Sequence, residues 1–156
     1  MCFDKSESKK VFLEAGVPTP RAEILDCSGG IVMPSLPLPF VIKPPCEGSS
    51  VGVHIIHKQE DVLPAMEEAV THGTTVLVEE FIQGRELTVG VLDGEALPVI
   101  HICPRSGFYD LSNKYPWMNM GGGTDYICPA DLPEEIAAKV QEAALKAYRA
   151  AGVDIT

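Results

Sequence analysis

No stretch of this chain is apolar for the roughly 20 residues that a membrane-spanning helix needs, which argues against an integral membrane protein. A signal-peptide core is also missing, because residues 1–10 are charged and polar. Positive charge is scarce: 12 lysines and arginines stand against 22 aspartates and glutamates, for a formal net charge of −10. That balance argues against a nucleic-acid partner, which needs a basic stripe. Cysteine pairs are lacking too. Cys2, Cys27, Cys46, Cys103 and Cys128 are scattered, odd in number and without a Cys-x-x-Cys spacing. Free thiols in a reducing, cytoplasmic setting fit better than a disulfide framework. No internal repeat is visible.

What is present suffices for a folded core, with 46% hydrophobic residues in 156. A first helix starts at Asp4 as N-cap, carries Val11, Phe12 and Ala15 on one face, and stops at Gly16. Pro18 and Pro20 enforce an extended exit, and residues 28–39 read as a loop. Strands are expected at 40–43, 53–56 and 76–80, with a helix over 60–72 that buries Val62, Met66, Ala69 and Val70. Asp93-Gly94 predicts a hairpin between 87–92 and 96–103. Residues 108–126 read as a long Gly-rich loop. A last helix over 133–151 faces Ile136, Val140, Ala144 and Ala147 inward, and residues 153–156 open a strand. The expected architecture is α+β, in two small lobes with mainly antiparallel sheets, residues 1–82 and 83–156.

Three segments could carry chemistry. Lys43 ends a strand and is followed by Glu47-Gly48-Ser49-Ser50-Val51-Gly52. Glycines allow close backbone approach, and successive amides with serine hydroxyls can hold an anion. The loop lacks the Gly-Lys-Ser/Thr of a Walker A motif and is followed by a strand, so it would act as a flap over phosphates. Taken alone, an ordinary Gly/Ser hairpin is the simpler reading. Glu79-Glu80-Phe81-Ile82 leaves a strand and offers backbone groups to an adenine edge, while Glu86 could accept ribose hydroxyls. Lys114-Tyr115 places a lysine on a loop that could reach a terminal phosphate. Each of these two also reads, by itself, as ordinary solvated surface. His54 and His57 lie three apart on a strand, on opposite faces, which is poor metal geometry. No metal ligand is assigned.

In order and together, these pieces resemble the ATP-grasp fold, and within it the D-alanine–D-alanine ligases. The resemblance runs through Asp4-Lys5, Gly16-Val17-Pro18-Thr19-Pro20, Phe40-Val41-Ile42-Lys43-Pro44, the 47–52 loop, Val78 to Glu86, Phe108-Tyr109-Asp110, Lys114-Tyr115, and Tyr126-Ile127-Cys128-Pro129-Ala130. It implies that Lys5 and Lys43 hold the ATP α- and β-phosphates and that Ser50, Val51 and Gly52 cover them. It further implies an adenine hinge at Glu79, Glu80, Phe81 and Ile82, a ribose ligand in Glu86, and Lys114 as the lid lysine for the γ-phosphate. Ser49 and Tyr115 match two members of a hydrogen-bonded trio that closes the D-alanine site, and Tyr115 favours an amine as second substrate. The implied reaction phosphorylates one D-alanine carboxylate with ATP; the amine of a second D-alanine then attacks the acyl phosphate, for peptidoglycan synthesis.

The resemblance also has gaps. The family's N-terminal domain is not matched, nor is the segment with an arginine and the Asp, Glu and Asn ligands for Mg2+, which would follow Thr156. The expectation is therefore a partial chain, inactive alone, from an enzyme that is commonly a homodimer. Leu111 replaces a frequent aromatic, and residues 117–123 look inserted.

Overall fold

In a computed structural model, the described residues are 3–105, 107, 109, 111–115 and 123–152, with Leu111 and Ser112 described by their backbone. The chain forms two compact units, Met1–Lys10 with Thr19–Gln83, and Val11–Pro18 with Gly84–Thr156.

The first unit is built on a four-stranded antiparallel sheet. Its strands are β1 (Ala22–Asp26), β2 (Phe40–Lys43), β3 (His54–Ile56) and β4 (Thr75–Glu80), in the order β1-β4-β2-β3. Side chains alternate between the faces. Phe40, Ile42, Val76 and Val78 point to one face, where helix α2 (Val62–Ala69) packs with Val62, Ala65, Met66 and Ala69. These helix positions recur at i, i+3, i+4 and i+7, the spacing of one buried stripe. The register pairs Val41 with Glu79 and Lys43 with Leu77, so Val41, Lys43, Leu77 and Glu79 share the other face. That face receives the first turns of helix α1 (Lys5–Glu14).

Two sequence expectations are corrected here. β1 was not expected; it is an edge strand whose pairing partner, β4, lies some 50 residues on. The helix expected over 60–72 is α2 alone, flanked by 3-10 turns at Gln59–Asp61 and Val70–His72. The N-cap is as read: Asp4 Oδ1 accepts the Ser6 and Glu7 amides at 2.8 and 3.3 Å.

In the second unit, α1 ends in a Schellman pair. The Val17 amide donates to Phe12 O at 2.8 Å and the Gly16 amide to Leu13 O at 3.0 Å, and Val17 is buried. Strands β5 (Glu86–Thr88), β8 (Ile100–Pro104) and β9 (Thr124–Ile127) form an antiparallel sheet in the order β5-β8-β9. Strands β6 (Val91–Leu92) and β7 (Glu95–Ala96) form a separate ribbon. Asp93 and Gly94 close it with φ of 50° and 80°, the two positive values of a type I′ turn. The expected single hairpin is thus in two pieces. Pro98 has no N–H for the ladder, and the last cross-strand bond before it runs from Leu97 N to Gly90 O at 2.8 Å.

Within 108–126 the backbone forms a short helix, α3 (Leu111–Lys114), and then β9. Buried Asn113 ties them: its side-chain oxygen accepts the Gly123 amide at 3.3 Å, and its carbonyl accepts the Thr124 hydroxyl at 2.8 Å. Helix α4 (Glu134–Ala151) packs against the β6–β7 ribbon, ends at Gly152, and fixes Leu97 O with Gln141 Nε2 at 2.9 Å. Ile136, expected to face inward, is exposed because it lies in the helix's first turn, whereas Val140, Ala144 and Ala147 are half-buried. The strand expected at 153–156 and most of the 117–123 segment lie outside the described residues.

Candidate functional site

In the first unit Lys43 and Lys9 both meet Glu79. Its place near the end of β4, paired with Ala22 on one side and Val41 on the other, fixes its backbone on three strands. One carboxylate oxygen meets the Lys43 ammonium in a close ion pair, and the other lies 2.8 Å from Lys9 Nζ. Burial alone would raise the Glu79 carboxyl, but Lys43 and Lys9 outweigh it and hold the group below its usual range.

Lys5 sits on the same helix as Lys9, one turn earlier, hence on the same side. Its ammonium donates to Pro45 O at 3.2 Å and to Glu47 O. Desolvation, followed by the nearby Lys43 charge, lowers its pKa. Two ammonium groups close enough to disfavour one another make a place where an anion is favoured.

Beside them runs the 44–53 loop. Ser49, Ser50 and Gly52 take φ of 53°, 63° and 65°. Left-handed backbone costs an ordinary residue about 1–2 kcal/mol, and such strain clusters at ligand clamps. Gly52 is required for a second reason. A Cβ there would lie 2.8 Å from Pro44 Cγ and 3.3 Å from His72 Cδ2. Glu47, in turn, lies 3.7 Å from His72 Nδ1.

The residues expected to form an adenine hinge diverge. Glu80 points to the face opposite Glu79 and pairs with Arg21 at 2.6 Å. The Glu80 and Phe81 amides already donate to Arg21 O and Pro39 O, at 2.9 and 3.1 Å. The Phe81 ring meets His57 edge-on at 5.7 Å, and Ile82 is exposed.

In the second unit Glu86 accepts the Tyr109 amide at 3.2 Å. The Tyr109 hydroxyl lies 2.7 Å from that of Tyr126, and this bond, with some burial, pushes its pKa up to about 12. Lys114 Nζ sits 4.9 Å from the centroid of the Tyr109 ring, and Tyr115 follows it. Ser49 belongs to the first unit and Tyr115 to the second.

Sequence reading missed Lys9 altogether. The signal was available, because Lys5 and Lys9 are spaced i, i+4, but a helix lysine ordinarily reads as solvated.

Comparison with known proteins bears on this geometry. Residues 25–154 match the family described as D-ala D-ala ligase C-terminus. A D-alanine–D-alanine ligase of Syntrophotalea carbinolica is 40% identical over 153 residues, 97% of this chain and 48% of its own length. Among solved structures, a D-alanine–D-alanine ligase from Bacillus anthracis superposes with a TM-score of 0.78 at 29% identity, over 99% of this chain and 50% of that one. The Bacillus anthracis ligase complexed with ATP gives a TM-score of 0.77 at 25% identity, over 99% and 48%. The chain spans about half the length of the curated relatives it matches.

Proposed function

The chain belongs to the D-alanine–D-alanine ligase C-terminal family, with an α+β fold of the ATP-grasp type, and on that premise we propose that it is part of an enzyme that joins two D-alanines at the expense of ATP. The observation that carries the reading is the convergence of Lys5 and Lys43 beside the strained 49–52 loop. In this reading the lysines hold the α- and β-phosphates, Ser50, Val51 and Gly52 cover them, and Ile82 with the neighbouring hinge residues Glu79, Glu80 and Phe81 lines adenine. Residues 1–82 are the nucleotide-binding lobe and 83–156 begin the C-terminal lobe, where Glu86 takes the ribose and Lys114 the γ-phosphate. Ser49 and Tyr115 serve the D-alanine site.

Chemically, the chain's own residues position and balance charge. Ammonium groups offset the phosphate charge while the γ-phosphoryl moves to a D-alanine carboxylate. The amine of the second D-alanine then attacks the acyl carbon and phosphate leaves. The same proposal includes Mg2+, a homodimer, a cytoplasmic place in peptidoglycan synthesis, and no nucleic-acid partner. Among the described residues no group of three or more His, Cys, Asp or Glu side chains is placed to hold a metal. They do not fit a magnesium site, and no step here runs through one. Likewise, no described helix is long and apolar enough to cross a membrane.

Two experiments test the reading. Calorimetric titration of the chain with ATP should show saturable binding; its absence would remove the nucleotide site. The chain alone should release no phosphate in response to D-alanine above a Lys43→Ala control. Completed with the remaining segments of one of its relatives, it should do so with D-alanine and not with L-alanine. A completed chain indifferent to D-alanine would point to another carboxylate-amine ligase.

A further inference from the structure

Lys9 is a lysine that cannot serve a ligand directly. Its side chain is 6% exposed, and its three ammonium protons face Glu79 Oε1 at 2.8 Å, Thr19 Oγ1 at 2.7 Å and Pro20 O at 2.6 Å. Two of these acceptors belong to the Thr19-Pro20 segment, so Lys9 is anchored whatever Glu79 does. Glu79 in turn divides its two oxygens between Lys9 and Lys43. Were Lys9 absent, the carboxylate would have Lys43 as its ammonium partner in this cluster, and the two charges would cancel. With Lys9 present, the carboxylate is already balanced, and Lys43 keeps a net positive charge beside Lys5.

Resting on the nucleotide reading above, we propose that Lys9 is a positioning residue acting through Glu79: it fixes the carboxylate that orients Lys43 and supplies the counter-charge that leaves Lys43 available to a polyphosphate. A salt bridge that merely stabilised the sheet would affect every ligand alike. A charge-partitioning clamp must discriminate between phosphorylated and unphosphorylated nucleosides. It must also couple Lys9 to Lys43 although each reaches Glu79 through a different oxygen.

The test uses the 156-residue chain in two arms. The first needs no ligand. The Lys43 Nζ resonance, followed by NMR, should shift in Lys9→Met, and the shift should vanish when Glu79→Gln is already present, as a double-mutant cycle requires for coupling through Glu79. Thr19→Val is the milder probe should Lys9→Met unfold. It removes one acceptor of Lys9 without stranding a charge, and Lys43 should shift in the same direction by less. In the second arm, Lys9→Met should weaken ATP binding by about tenfold, the scale of one charge-assisted contact, while adenosine affinity stays within about twofold. Lys9→Arg, which keeps the charge, should restore the ratio of ATP to adenosine affinity. A Lys43 signal that ignores both Lys9→Met and Thr19→Val overturns the inference, as does equal loss of ATP and adenosine affinity. If the unaltered chain binds ATP no better than adenosine, the nucleotide reading fails, and the Lys43 signal decides the clamp by itself.

Discussion

At the scale of single residues, the site is a cluster of charges that makes sense only as a set. Lys43 contributes both to the Glu79 ion pair and to the field beside Lys5. Lys43→Ala should therefore weaken ATP binding by roughly ten- to a hundredfold, the range of one hydrogen bond to a charged group, with adenosine little changed. Calorimetry with both ligands checks it. Glu79 also makes a pH prediction. Its folded pKa lies below the ordinary 4.5, so its contribution to stability is full above that value and is lost as pH falls through the depressed one. Urea denaturation between neutral pH and about pH 3 should show this acid loss, and Glu79→Gln should flatten that part of the profile. Equal slopes in both proteins would place the acid sensitivity elsewhere. Lys43 and the Gly/Ser loop could be named together because they are adjacent in the chain, whereas Lys5 entered only through the family resemblance. Lys9 was not legible in the sequence, since its burial depends on a carboxylate 70 residues away.

Elements were legible where the signal was local. Asp93-Gly94 marks its own turn, Asp4 caps its own helix, and the Val62, Met66, Ala69 stripe repeats within one helix. β1 escaped because Ile24 and Leu25 stand side by side between carboxylates, without alternation, and only the distant β4 makes them a strand. The two arms of the long hairpin pair as the sequence suggested, β6 with β7 and β5 with β8, and only the interruption before Pro98 was not read. The 49–52 loop gives the sharpest prediction at this scale. Gly52→Ala must both hold a left-handed backbone and place a methyl group 2.8 Å from Pro44 Cγ. It should destabilise the first unit by about 2 kcal/mol or more and weaken ATP binding. Thermal denaturation with and without ATP reads both effects. Unchanged stability would show that the loop yields freely.

For the whole molecule, the proposed site would have to hold a polyanion on a chain of net charge −10. Charges separated by more than about 8 Å are screened at physiological salt, so the lysine cluster acts locally and the acidic remainder does not cancel it. ATP affinity should fall by less than about tenfold between roughly 10 and 150 mM salt, with adenosine unaffected. Affinity that rises with salt would mean that overall repulsion governs binding. The division into two units sets the scope of these arguments. Lys5, Lys43, Glu79 and the 49–52 loop form one unit's site, and Glu86, Tyr109 and Lys114 another's. Nucleotide binding is the part of the proposal that rests on the first unit's geometry, and ligation is the part that rests on the family match.

The most direct measurement of that claim is an NMR titration of the chain with ATP and, separately, with adenosine. Saturable shifts at the amides of residues 49–52 and 79–82 on adding ATP, with adenosine moving only the latter, are the predicted result. No saturable shifts in either segment, or shifts confined to other parts of the chain, would contradict the assignment of this cluster as a nucleotide site.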